Sequence, residues 1–419
     1  MINDKRFWAI IILFPALFLS SCALRSSNIA VLWTDRPEFA LYAEYFNASQ
    51  GVYKIEPRYF ESPSQRLTGN GEARPDIVAG SWLKSVSTRS LFRPLDHLFK
   101  SGRLSRDSFY QRLLDLGNID GKQYLLPVAF NIPAMIFAGD RGREMPNPFT
   151  LTLEEIKELG KSFNRENGGV YSRMGFSPAW DDEFLFAGAV LFGASFREAA
   201  PLDWDDAALE RTIAYIDSWI AESNTGIRAE DDFVFKYFYD PPSTLVIKGR
   251  ILFFCVSSSD FFTLPQERRA NLDFRWLAGE ETIPISEDMA YFGIYRHTRA
   301  KKAAEAFAEW FYREDTQRQL LGAAKDNRLN ETRFGIANGF SALRTVTEQI
   351  FPQFYPSLLG HMPPGSFLSP PNILPQNWTA MKERVILPYL RDRIRSGANG
   401  ELRSLDRRLT EWNLLNRGL

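Results

Sequence analysis

Two acidic clusters are the residues best equipped for chemistry on a substrate: Asp181-Asp182-Glu183, directly after Trp180, and the trio Asp203, Asp205 and Asp206. A pair of carboxylates about 5 to 10 Å apart across a cleft hydrolyses a glycosidic bond, one as acid and the other as base or nucleophile. Asp205 has a plainer use, because it stands where a carboxylate caps the helix that carries Leu209, Ile213, Ile216 and Ile220. Other chemistries are poorly served. The 3 histidines, His97, His297 and His361, are far apart and no His-Glu-x-x-His occurs, which argues against a hydrolytic metal. Gly193-Ala194-Ser195-Phe196-Arg197 lacks the last glycine of a nucleophile elbow, and Gly69-Asn70-Gly71-Glu72-Ala73-Arg74 lacks the third glycine of a dinucleotide fingerprint. No metal and no cofactor are expected. With 50 Lys and Arg against 51 Asp and Glu the formal net charge is -1, so nothing in the charge calls for nucleic acid.

The N-terminus carries a different kind of chemistry. Lys5 and Arg6 precede an apolar run from Phe7 to Leu19, which suits a signal-peptide core and is too short to span a bilayer. Leu19-Ser20-Ser21-Cys22 follows and resembles the lipobox of bacterial lipoproteins. That resemblance implies cleavage after residue 21, diacylation of Cys22 and a protein tethered to a membrane of the cell envelope, facing the periplasm or the exterior. Two acyl chains hold a protein stably, at about 0.8 kcal/mol per buried methylene. Cys255, the other of the 2 cysteines, is then left without a disulfide partner and reads as a small buried hydrophobe.

The 419 residues, 45% of them hydrophobic, suffice for two domains. Ile29 to Trp33 reads as a buried strand, Pro37 to Phe46 as a helix, and Tyr53 to Phe60 and Asp76 to Gly80 as further strands. Such alternation predicts a parallel sheet, with ligands beyond the carboxyl ends of its strands. Trp33 and the pair Ser81-Trp82 fall there. Tyr124 to Val128 and Ile132 to Phe137 are two short apolar strands at Pro127 and Pro133, which should keep either from running on as a sheet interior. They suit a hinge between lobes or an ordinary buried hairpin. Thr152-Leu153-Glu154-Glu155 is a capping box opening a helix that Asn167-Gly168-Gly169 should close. Phe184 to Phe192 reads as a buried helix, Ile251 to Val256 and Leu272 to Leu277 as strands, and Lys301 to Tyr312 as an amphipathic helix. Pro352 to Pro375 reads as an irregular cover whose Phe354, Tyr355, Leu358, Leu359, Phe367 and Leu368 want burial.

In order and spacing these pieces resemble the sugar-binding extracellular solute-binding proteins of ABC transporters. The carriers are Ile29-Ala30-Val31-Leu32-Trp33 with Pro37-Glu38-Phe39, Pro75-Asp76-Ile77, Leu95-Asp96, Asp120-Gly121-Lys122-Gln123-Tyr124 to Pro127, Gly249-Arg250, and Gly293-Ile294-Tyr295 leading into Ala303 to Phe307. Leu153 stands where these proteins usually carry Trp, and Phe137-Ala138-Gly139 where Tyr-Tyr-Asn is common. The resemblance implies an α/β fold of two lobes, each a mainly parallel sheet flanked by helices, joined by crossing strands. It places residues 22–133 and 286–345 in the first lobe and 134–285 and 346–419 in the second. It further implies a monomer that captures a mono- or oligosaccharide in the cleft and delivers it to permease subunits.

Sugar recognition needs flat aromatic faces for the C–H patches of the ring and short polar groups for the hydroxyls. From position, the candidates are Trp33, Asp35, Arg36, Ser81 and Trp82 at strand ends, Asn131 in the crossing, Trp180 with Asp181 and Ser257 with Ser258 from the second lobe, and Tyr291 on the return. Two other readings remain: a surface carbohydrate hydrolase, and a scaffold or adhesin whose cleft is filled by Phe253 and Phe254.

Overall fold

The computed structural model describes residues 28–71, 73–362, 364–396 and 403–416. The leader and Cys22 lie outside the described residues. Among the described residues no helix is long and apolar enough to cross a membrane.

The chain begins with β1 (Ile29–Thr34), whose Ala30, Leu32 and Trp33 are fully buried. The helix Phe39–Ser49 then turns Phe39, Tyr42, Ala43 and Phe46 inward, at the spacing that puts residues on one helical face. β2 (Lys54–Tyr59) and β3 (Ile77–Gly80) both run parallel to β1. Next come β4 (Leu125–Phe130), β5 (Pro133–Ala138), β6 (Thr150–Thr152), β7 (Phe254–Ser257), β8 (Leu272–Ala278), β9 (Ala290–Ile294) and β10 (Phe340–Ser341). One sheet has the order β10-β4-β9-β3-β1-β2 and the other β7-β5-β8-β6. The strand directions are mixed and not mainly parallel as expected, because β9 runs antiparallel to β3 and β4, and β5 antiparallel to β7 and β8.

β4 and β5 belong to different sheets, so the segment that suits a hinge or a hairpin is a crossing between lobes. Pro127 does not end β4. It lies inside the strand opposite Tyr291, where the β4–β9 register shifts and a bulge removes the need for its missing donor. Pro133 is the first residue of β5, another position that tolerates proline.

β5 shows how the second sheet is covered on both sides. Ala134 and Ile136 face one core cluster, in which Phe274 packs on Trp276 of the same strand β8 at 4.8 Å and Trp276 meets Phe340 of β10 at 5.8 Å. Met135 and Phe137 face the other cluster, with Trp219 and Trp378. The capping box is present: Thr152 N–H donates to Glu155 Oε2 at 2.8 Å, and Glu155 N–H to Thr152 Oγ1 at 3.3 Å. Its helix ends at Phe163 and not at the glycines. Gly168 and Gly169, both at positive φ, instead turn a small hairpin of Arg165–Asn167 with Val170–Arg173. Asp205 caps the helix Asp206–Asn224, accepting from Ala208 N–H at 2.8 Å.

Ile251 makes only a bridge to Met174, because the N–H groups of Leu252 and Phe253 both turn to Gly175 O before the strand begins at Phe254. The proline-rich cover buries Tyr355, Leu358 and Leu368, while Leu359 is exposed.

Candidate ligand-binding cleft

A cleft of about 850 Å³ lies between the sheets and takes residues from both. One wall is built by the turns after β1 and β3. Ser81 N–H donates to Asp35 Oδ2 at 2.9 Å, and the Arg36 guanidinium donates to Ser81 Oγ, to the Asp288 carbonyl and to Asp288 Oδ2 at 2.9, 2.7 and 3.2 Å. Burial pushes the Asp35 carboxyl up from its ordinary range, against the opposing pull of Arg36. Trp82 lines the same wall at φ 63°, a conformation rare for a bulky residue, and packs against the second lobe's core.

Gly80 makes the Asp35 position possible. A Cβ there would stand 2.6 Å from Asp35 Oδ1. Gly80→Ala should therefore displace the Asp35 carboxylate from Ser81 and weaken ligand binding more than tenfold, while the melting temperature falls modestly. Titration calorimetry beside thermal melts checks this, and unchanged affinity would remove Asp35 from the site.

The opposite wall comes from the second lobe. Asp181 is the cap of the helix Asp182–Leu191, accepting from Phe184 N–H at 2.9 Å, and burial pushes its carboxyl up to about 6. Lys382 donates to Glu183 at 2.6 Å and to Glu287 at 2.9 Å. Burial raises the Glu287 carboxyl, and although burial works to lower the Lys382 ammonium, Glu287 and Glu183 together hold it above its usual value. Ser257 lines the cleft at the end of β7, where its hydroxyl donates to Asp260.

Of the residues expected to touch ligand, Asp35, Arg36, Ser81, Trp82, Asn131, Asp181 and Ser257 line this cleft. Four others do not. Trp33 is 1% exposed and borders a smaller pocket with Phe60 and Arg66, whose guanidinium lies 4.3 Å from the Phe60 ring. Trp180 stacks on Phe233 at 5.6 Å and touches Phe238 at 4.8 Å. Tyr291 is on β9, inside the six-stranded sheet, fully buried with its hydroxyl donated to Leu113 O at 3.1 Å.

Ser258 is also fully buried, donating to Asn131 Oδ1 at 2.7 Å. Asn131 lines the cleft, yet its side chain is a hinge tie: its Nδ2 donates to Asn338 O at 2.8 Å, and its carbonyl accepts from Ser286 N–H at 2.9 Å. Sequence reasoning missed Glu287, Asp288 and Lys382. The acidic pair just before the β9 return was visible as a signal, whereas Lys382 sits in a helical stretch with nothing to distinguish it.

Two lobes joined by crossing strands around a cleft with polar groups from both define a two-lobed binding protein. Residues 42–326 match the bacterial extracellular solute-binding protein family, and the chain belongs to that family. Its place is accordingly outside the cytoplasm, in the cell envelope or beyond.

Solved structures share the fold at low identity. One is an ABC substrate-binding protein from Listeria monocytogenes in complex with cycloalternan, with TM-score 0.60 and 14% identity, covering 92% of this chain and 98% of that one. Another is a cyclic alpha-maltosyl-1,6-maltose binding protein from Arthrobacter globiformis, with TM-score 0.60, 18% identity and coverage of 91% and 96%. A third is the sugar-binding protein MalE from Xanthomonas citri, with TM-score 0.61, 13% identity and coverage of 92% and 96%. No curated protein matches the chain with significance.

Proposed function

We propose that the protein captures a carbohydrate in this cleft and hands it to an ABC importer, acting by binding and release. The observation that carries the reading is the cleft itself. At about 850 Å³ it is large enough for an oligosaccharide, and it sets the half-buried Trp82 beside short polar groups of both lobes. That the similar folds above are named for sugars they bind supports the same class. A disaccharide of roughly two dozen heavy atoms, at about -0.3 kcal/mol per atom, binds near -7 kcal/mol, in the micromolar range.

The same reading keeps the lobe boundaries at residues 133, 286 and 345, near the crossings into β5, before β9 and after β10. It also keeps Cys22 as the lipid anchor and permease subunits as partners. Cys22→Ala should move the protein from the membrane to the soluble fraction.

The test is thermal unfolding with a panel of mono- and oligosaccharides. A sugar at a hundred times its dissociation constant adds about 2.7 kcal/mol. The absence of any shift would count against carbohydrate binding.

Two tryptophans separate site from core. Trp82→Ala should weaken sugar binding about tenfold to a hundredfold, with little change in folding. Trp180→Ala should lower stability by about 3 kcal/mol through the lost contacts to Phe233 and Phe238, leaving affinity within a few-fold. Calorimetric titration and denaturation of both variants check the pair, and the reverse pattern would exchange their roles.

A further inference from the structure

The charge lining the cleft says more than its shape. Among the described residues that line it, eight carboxylates face two cations, Arg36 and Lys382. Five of the carboxylates make a continuous run. Asp35 feels Asp288, Glu287 feels both Asp288 and Glu183, and Asp181 feels Glu183, each repelling the next. Arg36 is shared between Asp35 at 3.5 Å and Asp288 at 3.2 Å. Lys382 is shared in the same way between Glu183 and Glu287. Two positive charges thus pair with four of the five carboxylates.

Asp181 is the member of the run that forms no ion pair among the described residues, and its remaining neighbours in charge, Asp182 and Glu183, repel it further. One of its oxygens already accepts from a backbone N–H, so the side chain is held in place by the helix it caps. At the other end of the run, Asp35 Oδ1 and Arg36 Nε face each other at 3.5 Å as an ion pair, and neither makes a hydrogen bond among the described residues.

Like charges gathered on a low-dielectric wall focus a field into the cleft and favour a ligand of opposite sign. They also reject the wrong one, so uronic acids and sugar phosphates meet repulsion here. A metal ion is a poor occupant. Among the described residues no three His, Cys, Asp or Glu side chains converge closely enough to hold one. The cation must then be carried by the ligand itself.

We infer that the cleft selects carbohydrates bearing a protonated amine, that is, amino sugars or their glycosides, with the ammonium seated against Asp181. This rests on the carbohydrate reading above and narrows it. The ring stacks and hydrogen-bonds as any sugar does, and the amine supplies the charge that the carboxylate run lacks.

The decisive comparison holds the ring and the linkage constant. Titration calorimetry of the purified protein would use three β-1,4 disaccharides that differ at C2: the glucosamine dimer, its N-acetylated form and cellobiose. Maltose and its 2-amino analogue repeat the comparison on an α-1,4 linkage, and spermidine serves as a cation with no ring.

The expected result is at least tenfold tighter binding of the amine within one linkage series, with a preference that falls as salt is raised. In Asp181→Asn, which keeps the cap acceptor and removes the charge, the preference should vanish, so that the amine and the neutral sugar of one linkage series bind within about twofold of each other. Neutral or acetylated sugars binding as tightly as the amine would overturn the inference and leave the carbohydrate reading standing. Spermidine binding with no response to any sugar would overturn both. A preference that survives Asp181→Asn would overturn the placement of the ammonium.

Discussion

Replacing Lys84 by methionine should raise stability at pH 7 by about 2 to 4 kcal/mol and abolish a rise in stability that the unaltered protein shows between pH 7 and 9. Lys84 follows the cleft turn Ser81-Trp82 and is 7% exposed. Its ammonium has no hydrogen-bond partner among the described residues. The nearest compensation is the face of the Tyr291 ring, whose centroid is 4.9 Å away. A desolvated cation–π contact is worth about 2 kcal/mol, less than the several kcal/mol that burial of an unpaired ion costs. Burial therefore pushes the Lys84 amine down to about 7.

The direction of the pH effect follows. In the unfolded chain the amine stays protonated up to about pH 10.4, while the folded chain has begun to lose the proton near 7. Over that window the unfolded state binds more protons, so stability rises with pH at a limiting slope of about 1.4 kcal/mol per unit. Below pH 7 both states are protonated and the full penalty is present. Methionine carries no charge, keeps a flexible chain of similar length and makes a favourable sulfur contact with the ring.

Urea unfolding of both proteins at pH 6, 7, 8 and 9 reads the difference directly, and subtracting the two curves cancels Asp181 and Glu230, which titrate nearby. A methionine variant less stable than the parent at pH 7, or one with the same pH slope, would show that the ammonium is not the liability its surroundings imply.

How much of this was legible in the sequence depended on how local the cause was. The capping box at Thr152 and the cap at Asp205 were readable because each is a contact over three residues. The cleft positions after β1 and β3 were readable for a related reason: strand-helix alternation places loops at strand ends whatever the partner. Tyr291 was misplaced because period-2 patterning cannot tell a sheet's ligand-facing end from its middle, and β9 is covered on both faces. Trp180 was misplaced because the rings that enclose it, Phe233 and Phe238, lie some fifty residues on. Lys382 was invisible for the same reason, its two carboxylate partners being 199 and 95 positions away. The excess of negative charge in the cleft has no sequence signature at all in a chain of net charge -1. It exists only once the fold gathers Asp35, Asp181, Glu183, Glu287 and Asp288.

Lys382 is where that gathering matters most for stability. Its side chain is 7% exposed, it lies 4.1 Å from the Phe186 ring centroid, and it ties the C-terminal helical segment to Glu287 on the return toward β9. Lys382→Met should cost about 3 kcal/mol at pH 8, because removing one member of a buried ion pair leaves the other charge uncompensated. Most of that cost belongs to Glu287, at 17% exposure, since Glu183, at 66%, is readily solvated.

Without the ammonium, burial raises the Glu287 carboxyl further. The folded state then holds a proton that the unfolded state has released, so stability returns as pH falls toward the unfolded value near 4.3. The deficit of Lys382→Met should accordingly be largest above pH 7 and shrink by pH 5, and Lys382→Met/Glu287→Gln should recover most of it at pH 8. A double variant no better than the single one, or a deficit constant from pH 5 to 8, would mean that Lys382 stabilises this region by packing on Phe186 and not by holding two carboxylates together.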